Sequence, residues 1–227
     1  MSPAPDTRAT GAWPMYRALV GVGMLCGLLI AVAFQGTAPV IARNRAEALE
    51  RAVFAVLPEA SRRVTFALTA DGTFEPTEAA AAERVHAGFD ADGRLVGVAV
   101  EANGAGYADT ISLLYGYDPA RAAIVGMEVL ASKETPGLGD RIGTDPGFLA
   151  NFEALDVRLD EAGEALAHPI ETVRSGQKTE AWQIDGITGA TISATAVGGI
   201  LATSTARWLL VINRRLDELR AGGDDGN

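Results

Sequence analysis

Apolar and polar positions change their rhythm along the chain. From Ala18 to Phe34 no residue is charged, and the uncharged run continues to Ala42. At about 1.5 Å per residue such a run crosses a hydrocarbon core of roughly 30 Å, which predicts a membrane span over residues 16–42. Ala46, Leu49, Val53, Val56 and Leu57 then recur at helical spacing, predicting a helix over Arg43 to Leu57 that Pro58 ends. The period then changes. Arg63 to Leu68 reads as a strand, and the Ala- and Glu-rich stretch Glu75 to Arg84 as either a loop or a short helix. Val85 to Phe89 and Leu95 to Val100 flank the turn Asp90-Ala91-Asp92-Gly93 as one hairpin. Thr110 to Tyr117 and Ile124 to Leu130 flank Asp118-Pro119-Ala120-Arg121 as a second. Pro146 to Leu155 reads as a short helix with Phe148, Leu149 and Phe152 on one side. A last long helix starts at Ser193 and ends near Arg220, with Val197, Ile200, Leu201, Trp208, Leu209 and Ile212 apolar before Ala-Gly-Gly stops it. Arg207 interrupts its apolar surface, so it does not read as a second span. The fold class is α+β: an antiparallel or mixed sheet flanked by helices, with one N-terminal transmembrane helix.

Composition narrows the chemistry. The chain has 227 residues, 48% apolar and 21% charged, enough for a real core. A net charge of -10 leaves no basic face for nucleic acid. One Cys excludes an intramolecular disulfide and a multi-Cys metal site, and His86 and His168 stand in no metal-ligand spacing. Any redox group must therefore be borrowed. Cys26 lies inside the apolar run and reads as a hydrophobe. Ala31-Val32-Ala33 has the small-x-small pattern of a signal-peptide cleavage site, but the length of the uncharged stretch favours a retained anchor. Arg17 on one side and Arg43 and Arg45 on the other do not settle its orientation.

Two segments stand apart. Asp185-Gly186-Ile187-Thr188-Gly189-Ala190-Thr191 runs directly into the last helix. Small residues, several hydroxyls and a helix start with unpaired N–H groups suit a phosphate, although a Thr-rich helix start taken alone reads as a cap. It is not a P-loop, lacking both the spacing and the Lys. Lys133-Glu134-Thr135-Pro136-Gly137-Leu138-Gly139-Asp140-Arg141 follows the strand ending near Leu130. Its Pro and glycines impose a turn, and taken alone it reads as a surface turn whose backbone a flat or anionic ligand could approach closely.

Together these segments carry a resemblance. Asp-x-x-Thr-Gly-Ala-Thr followed by Ile-Ser-Ala-Thr-Ala-Val resembles the flavinylation motif of the FMN-binding domain family. Glu-Thr-Pro-Gly-Leu-Gly-Asp resembles the companion motif of the G subunit of Rnf electron transport complexes, a relative of the C subunit of the sodium-translocating NADH:quinone reductase. Gly104-Ala105-Gly106-Tyr107 is similar, more loosely, to the family's glycine-rich approach to the central strand.

The resemblance implies FMN attached through its phosphate to Thr191 by a flavin transferase that uses FAD and releases AMP. It assigns Asp185 to recognition by that transferase or to positioning its metal. It places Thr188, Gly189 and Ala190 in the attachment loop, and Thr135, Pro136, Gly137, Leu138 and Gly139 against the flavin ring. No metal site and no catalytic residue of the chain's own are implied. The implied function is electron relay within an ion-translocating Rnf-type complex whose other subunits are the partners. The alternative is a membrane-anchored flavin-binding sensor or regulator. The implied layout is a cytoplasmic tail over residues 1–15, an anchor over 16–42 in the bacterial inner membrane, and a periplasmic FMN-binding domain over 43–227.

Overall fold

The computed structural model describes residues 13–77 and 83–223. The expected tail lies outside the described residues up to residue 12, as do positions 78–82 of the loop-or-helix stretch. The chain divides into two compact units, residues 1–47 and 48–227. Helix α1 (Trp13–Val56) begins in the first and ends in the second. Every described residue of the first unit is exposed, including Leu19, Leu25, Leu28, Ile30 and Phe34. A helix apolar all round and covered by nothing is what a lipid-facing span looks like. The expected anchor and the helix after it are thus one element. Thr37 Oγ1 donates to Ala33 O at 2.8 Å just before Pro39, the proline inside the helix.

The second unit is built on a seven-stranded antiparallel sheet in the order β2-β1-β3-β4-β5-β6-β7. The strands are β1 (Arg62–Leu68), β2 (Phe74–Pro76), β3 (Arg84–Phe89), β4 (Leu95–Ala105), β5 (Thr110–Asp118), β6 (Ala123–Ala131) and β7 (Leu155–Asp156). Both expected hairpins are present as β3–β4 and β5–β6. Strand alternation sorts the side chains. Val98, Val100, Leu113 and Tyr115 enter the large core, whereas Ala99 and Leu114 face the end of α1 with Ala52, Val53, Val56 and Leu57. Glycines let that helix end come close. A Cβ at Gly116 would lie 2.3 Å from Val56 O, and one at Gly126 2.7 Å from Val56 Cα. These two glycines are register partners, so a trough crosses two neighbouring strands.

Helix α3 (Thr191–Arg214) covers the other face through Ala194, Val197, Leu201, Leu209 and Ile212, all fully buried. It is long and apolar enough to cross a membrane, yet its apolar side is spent on the sheet. Tyr115 OH lies 3.0 Å from Ser204 Oγ, and Asn213 Nδ2 donates to Tyr117 OH at 3.0 Å, so both buried phenols are partnered. The expected single last helix is broken. Arg215 leaves helical geometry (φ -120, ψ 24), and α4 (Leu216–Ala221) starts anew. The break lets Leu219 enter the core and Glu218 Oε2 accept Phe74 N at 2.8 Å. The expected helix at Pro146 is shorter than its sequence pattern. Helix α2 (Pro146–Leu149) passes into a 3-10 turn, Ala150–Phe152, and the chain then joins the sheet edge as β7. A separate parallel pair, β8 (Glu171–Val173) and β9 (Gln183–Asp185), leads into the loop before α3.

Candidate functional site

Three segments meet at the start of α3. The first is the turn after the central strand β4, at Gly106–Ala108. The second is the loop after β6, and the third is the loop between β9 and α3. Arg141 Nη1 donates to Thr188 O at 3.0 Å, joining the second to the third. Arg141 Nη2 also donates to Asp145 Oδ2 at 2.5 Å, and this bond and the Phe148 N–H hold the Asp145 carboxyl below the usual carboxylate range.

Glu134 joins the first segment to the third, and sequence reasoning gave it no role. It is buried at the head of the second segment. Oε1 accepts the Tyr107 N–H at 2.8 Å and the Ala108 N–H at 3.0 Å. Oε2 accepts from Ser193 Oγ at 2.6 Å. Burial pushes this carboxyl up, but the Ser193 hydroxyl and the backbone N–H donors outweigh it and hold it below the ordinary range. The neighbouring glycines make room. A Cβ at Gly106 would come within 2.3 Å of Oε1, and one at Gly139 within 2.6 Å of Oε2. Gly139 is therefore buried beneath the site, whereas Thr135, Pro136, Gly137 and Leu138 are exposed. Gly137 has φ +75 and Gly189 has φ +85, each in open space, so both are turn glycines.

Asp185 is bound into its own fold. Its carboxylate accepts the Gly176 N–H at 2.9 Å and the Gln177 N–H at 3.2 Å. Buried Asn151 clamps its backbone from behind: Oδ1 accepts Asp185 N at 2.9 Å and Nδ2 donates to Asp185 O at 3.1 Å. Lys178 Nζ donates to the same Oδ1 at 3.2 Å, and burial pushes the Lys178 ammonium down against the opposing pull of Asp185. Asn151 lies in a stretch read from its apolar side, and a buried amide leaves no periodic signal.

Thr191 is the first residue of α3 and is exposed, as are Thr188 and Gly189; Ala190 is buried. Ala190 stands at the N-cap position and no side chain caps the helix. The Thr-rich start is therefore not a capping arrangement. Thr191 Oγ1 makes only a long contact, 3.4 Å to Ile187 O. Among the described residues outside α1, the exposed large apolar side chains are Tyr107 in the first segment, Leu138 in the second and Ile192 in the first turn of α3. An accessible hydroxyl on an uncapped helix start, in segments that Glu134 and Arg141 join and that expose apolar side chains, fits a group with an anionic phosphate and a flat apolar ring.

The profile of the FMN-binding domain family matches residues 106–204, the stretch that holds all three segments. The G subunit of the ion-translocating oxidoreductase complex of Methanosarcina acetivorans is 30% identical over 186 residues, covering 79% of this chain and 85% of the relative. The chain belongs to this G-subunit family. The Pseudomonas aeruginosa member of that family is 33% identical over 190 residues, with 79% and 78% covered. Among solved structures, the C subunit of the Na(+)-translocating NADH-quinone reductase from Parabacteroides distasonis has the same fold. It gives a TM-score of 0.57 at 18% identity, covering 75% of this chain and 94% of that one. This member of the G-subunit family has a long apolar N-terminal helix, a candidate membrane span.

Proposed function

We propose that this chain is a membrane-anchored flavoprotein that carries FMN on Thr191 and relays electrons within an Rnf-type ion-translocating complex. One observation carries the reading: Thr191 presents an exposed hydroxyl at an uncapped helix start, where the joined segments also expose Tyr107, Leu138 and Ile192. FMN would supply the electron-accepting and electron-passing chemistry. The chain's residues bind and orient. The N–H groups and dipole of α3 favour the phosphate. Tyr107, Leu138 and Ile192 offer apolar contact to the ring, beside Thr135, Pro136 and Gly137. Loading joins Thr191 Oγ1 to the FMN phosphorus of FAD. The phosphoanhydride bond breaks, AMP leaves, and the hydroxyl proton passes to a base of the flavin transferase.

Asp185 then acts by holding the loop that presents Thr191 to that enzyme. Residues 16–42 anchor the chain in the inner membrane, with residues 1–15 cytoplasmic and 43–227 periplasmic, so that the tethered group stays close to its partner subunits. The test is intact mass of full-length chain produced with and without a flavin transferase. FMN addition is expected only with the transferase. An unmodified mass in its presence would overturn the reading.

A further inference from the structure

We propose that Glu134 is the positioning residue of this site, its buried carboxylate locking three separate segments into one surface around Thr191. The three exposed apolar side chains of these segments, Tyr107, Leu138 and Ile192, each belong to or adjoin a residue that Glu134 contacts. Tyr107 is fixed by its own N–H to Oε1. Ile192 precedes Ser193, whose hydroxyl donates to Oε2. Leu138 precedes Gly139, which packs against both Oε2 and Ser193 Oγ. None of the three is held by burial of its own side chain, since all are exposed. Burial of their own side chains therefore does not place them, and the bonds to one carboxylate tie the turn after β4 to the first turn of α3.

The two oxygens divide the work. Oε1 fixes the turn after β4, and Oε2 fixes the first turn of α3. The spacing of Gly106 and Gly139 follows, because a methyl group at either would strike the carboxylate. Ser193 is thereby set apart from Thr191. Two residues further along the same helix, its hydroxyl is buried and already committed to Glu134, whereas Thr191 is exposed.

This proposal rests on the FMN reading of Thr191, and its test separates the two. Full-length chain is produced with a flavin transferase as wild type, Glu134→Ala, Glu134→Gln and Ser193→Ala. Amide hydrogen exchange is read at Tyr107 and Ala108, and visible-region circular dichroism is read on the flavin. Glu134→Ala should speed exchange at both amides about tenfold, as expected when their acceptor is lost. It should also lower the flavin dichroism roughly twofold, as an ordered arrangement comes to share its population with looser ones.

Glu134→Gln keeps an acceptor for the two amides and an N–H for Ser193 Oγ, and should restore both signals. Ser193→Ala removes one bond only and should lower the dichroism without speeding exchange at Tyr107. Wild-type exchange and dichroism in folded Glu134→Ala would overturn the proposal. If that variant does not fold, wild-type dichroism in Ser193→Ala overturns it instead. Faster exchange in Glu134→Ala of a chain that never acquires FMN would overturn the reading of Thr191 while leaving the lock in place.

Discussion

Two regions of this molecule depend on glycine for opposite reasons. Under the end of α1, Gly116 and Gly126 admit the backbone of Val56, and the neighbours on that face are apolar: Ala52, Val53, Leu57, Ala99 and Leu114. At the start of α3, Gly106 and Gly139 admit a carboxylate and a hydroxyl, and the surrounding large apolar side chains are exposed. The first region buries everything it can, and the gain is stability. The second leaves Tyr107, Leu138 and Ile192 exposed, which adds nothing to folding stability and, on the FMN reading, offers the ring its apolar contact. Spacing of glycines alone cannot separate the two cases; the atom that each glycine makes room for does.

The sharpest way to break this contrast is Thr191→Ala. It should abolish covalent flavin completely, read as in-gel fluorescence on the denatured band. Folding stability should stay within about 0.5 kcal/mol, as for other exposed sites. Full fluorescence in this variant would remove Thr191 from the site. The opposite experiment is Gly116→Ala. A methyl group 2.3 Å from Val56 O forces backbone movement, and overpacking of this kind costs about 1–3 kcal/mol. For a domain of this size the thermal midpoint should fall by roughly 3–10 °C. Flavin loading per folded chain should be unchanged. A loss of loading without a loss of stability would mean that the trough and the site are coupled.

The two motifs of the candidate site are legible in the sequence, because Thr191, Leu138 and their loops lie in compact runs. What escaped was the connection between them. Glu134 sits inside one motif, but its partners Tyr107, Ala108 and Ser193 are distant in sequence, and no local period records such bonds. The same holds for Asn151 and its clamp on Asp185. In the fold, both hairpins followed from alternation and turn residues. Short β7, β8 and β9 did not, since strands of two or three residues complete no period. The break at Arg215 is hidden for a different reason: the apolar positions continue through it, and what accompanies it, the burial of Leu219 and the Glu218–Phe74 bond, is tertiary.

A smaller effect concerns pH. Hydrogen bonds hold the folded Glu134 carboxyl below its ordinary value despite burial. A carboxylate depressed by folding contributes stability that is complete above its unfolded value and is lost as pH falls through the folded one. Wild type should therefore melt roughly 2–5 °C above Glu134→Gln near neutral pH. The gap should close as pH drops below the usual carboxylate range. A gap that widened on acidification would mean that the buried group is neutral in the folded protein.

The change with the smallest expected readout, and the one that most directly tests what the second region is for, is Leu138→Ala. The side chain is 53% exposed, so truncating it should change stability by no more than about 0.5 kcal/mol. If Leu138 covers the flavin ring, the same change opens that ring to water, and flavin emission should move to longer wavelength. Truncating a side chain in the trough, as in Val53→Ala, should do the reverse: Val53 is fully buried, so about 1–3 kcal/mol should be lost with flavin emission unchanged. Leu138→Ala behaving like Val53→Ala would place Leu138 in the core of the folded protein. The distinction between a surface that packs on itself and one that awaits a cofactor would then fail at its most exposed residue.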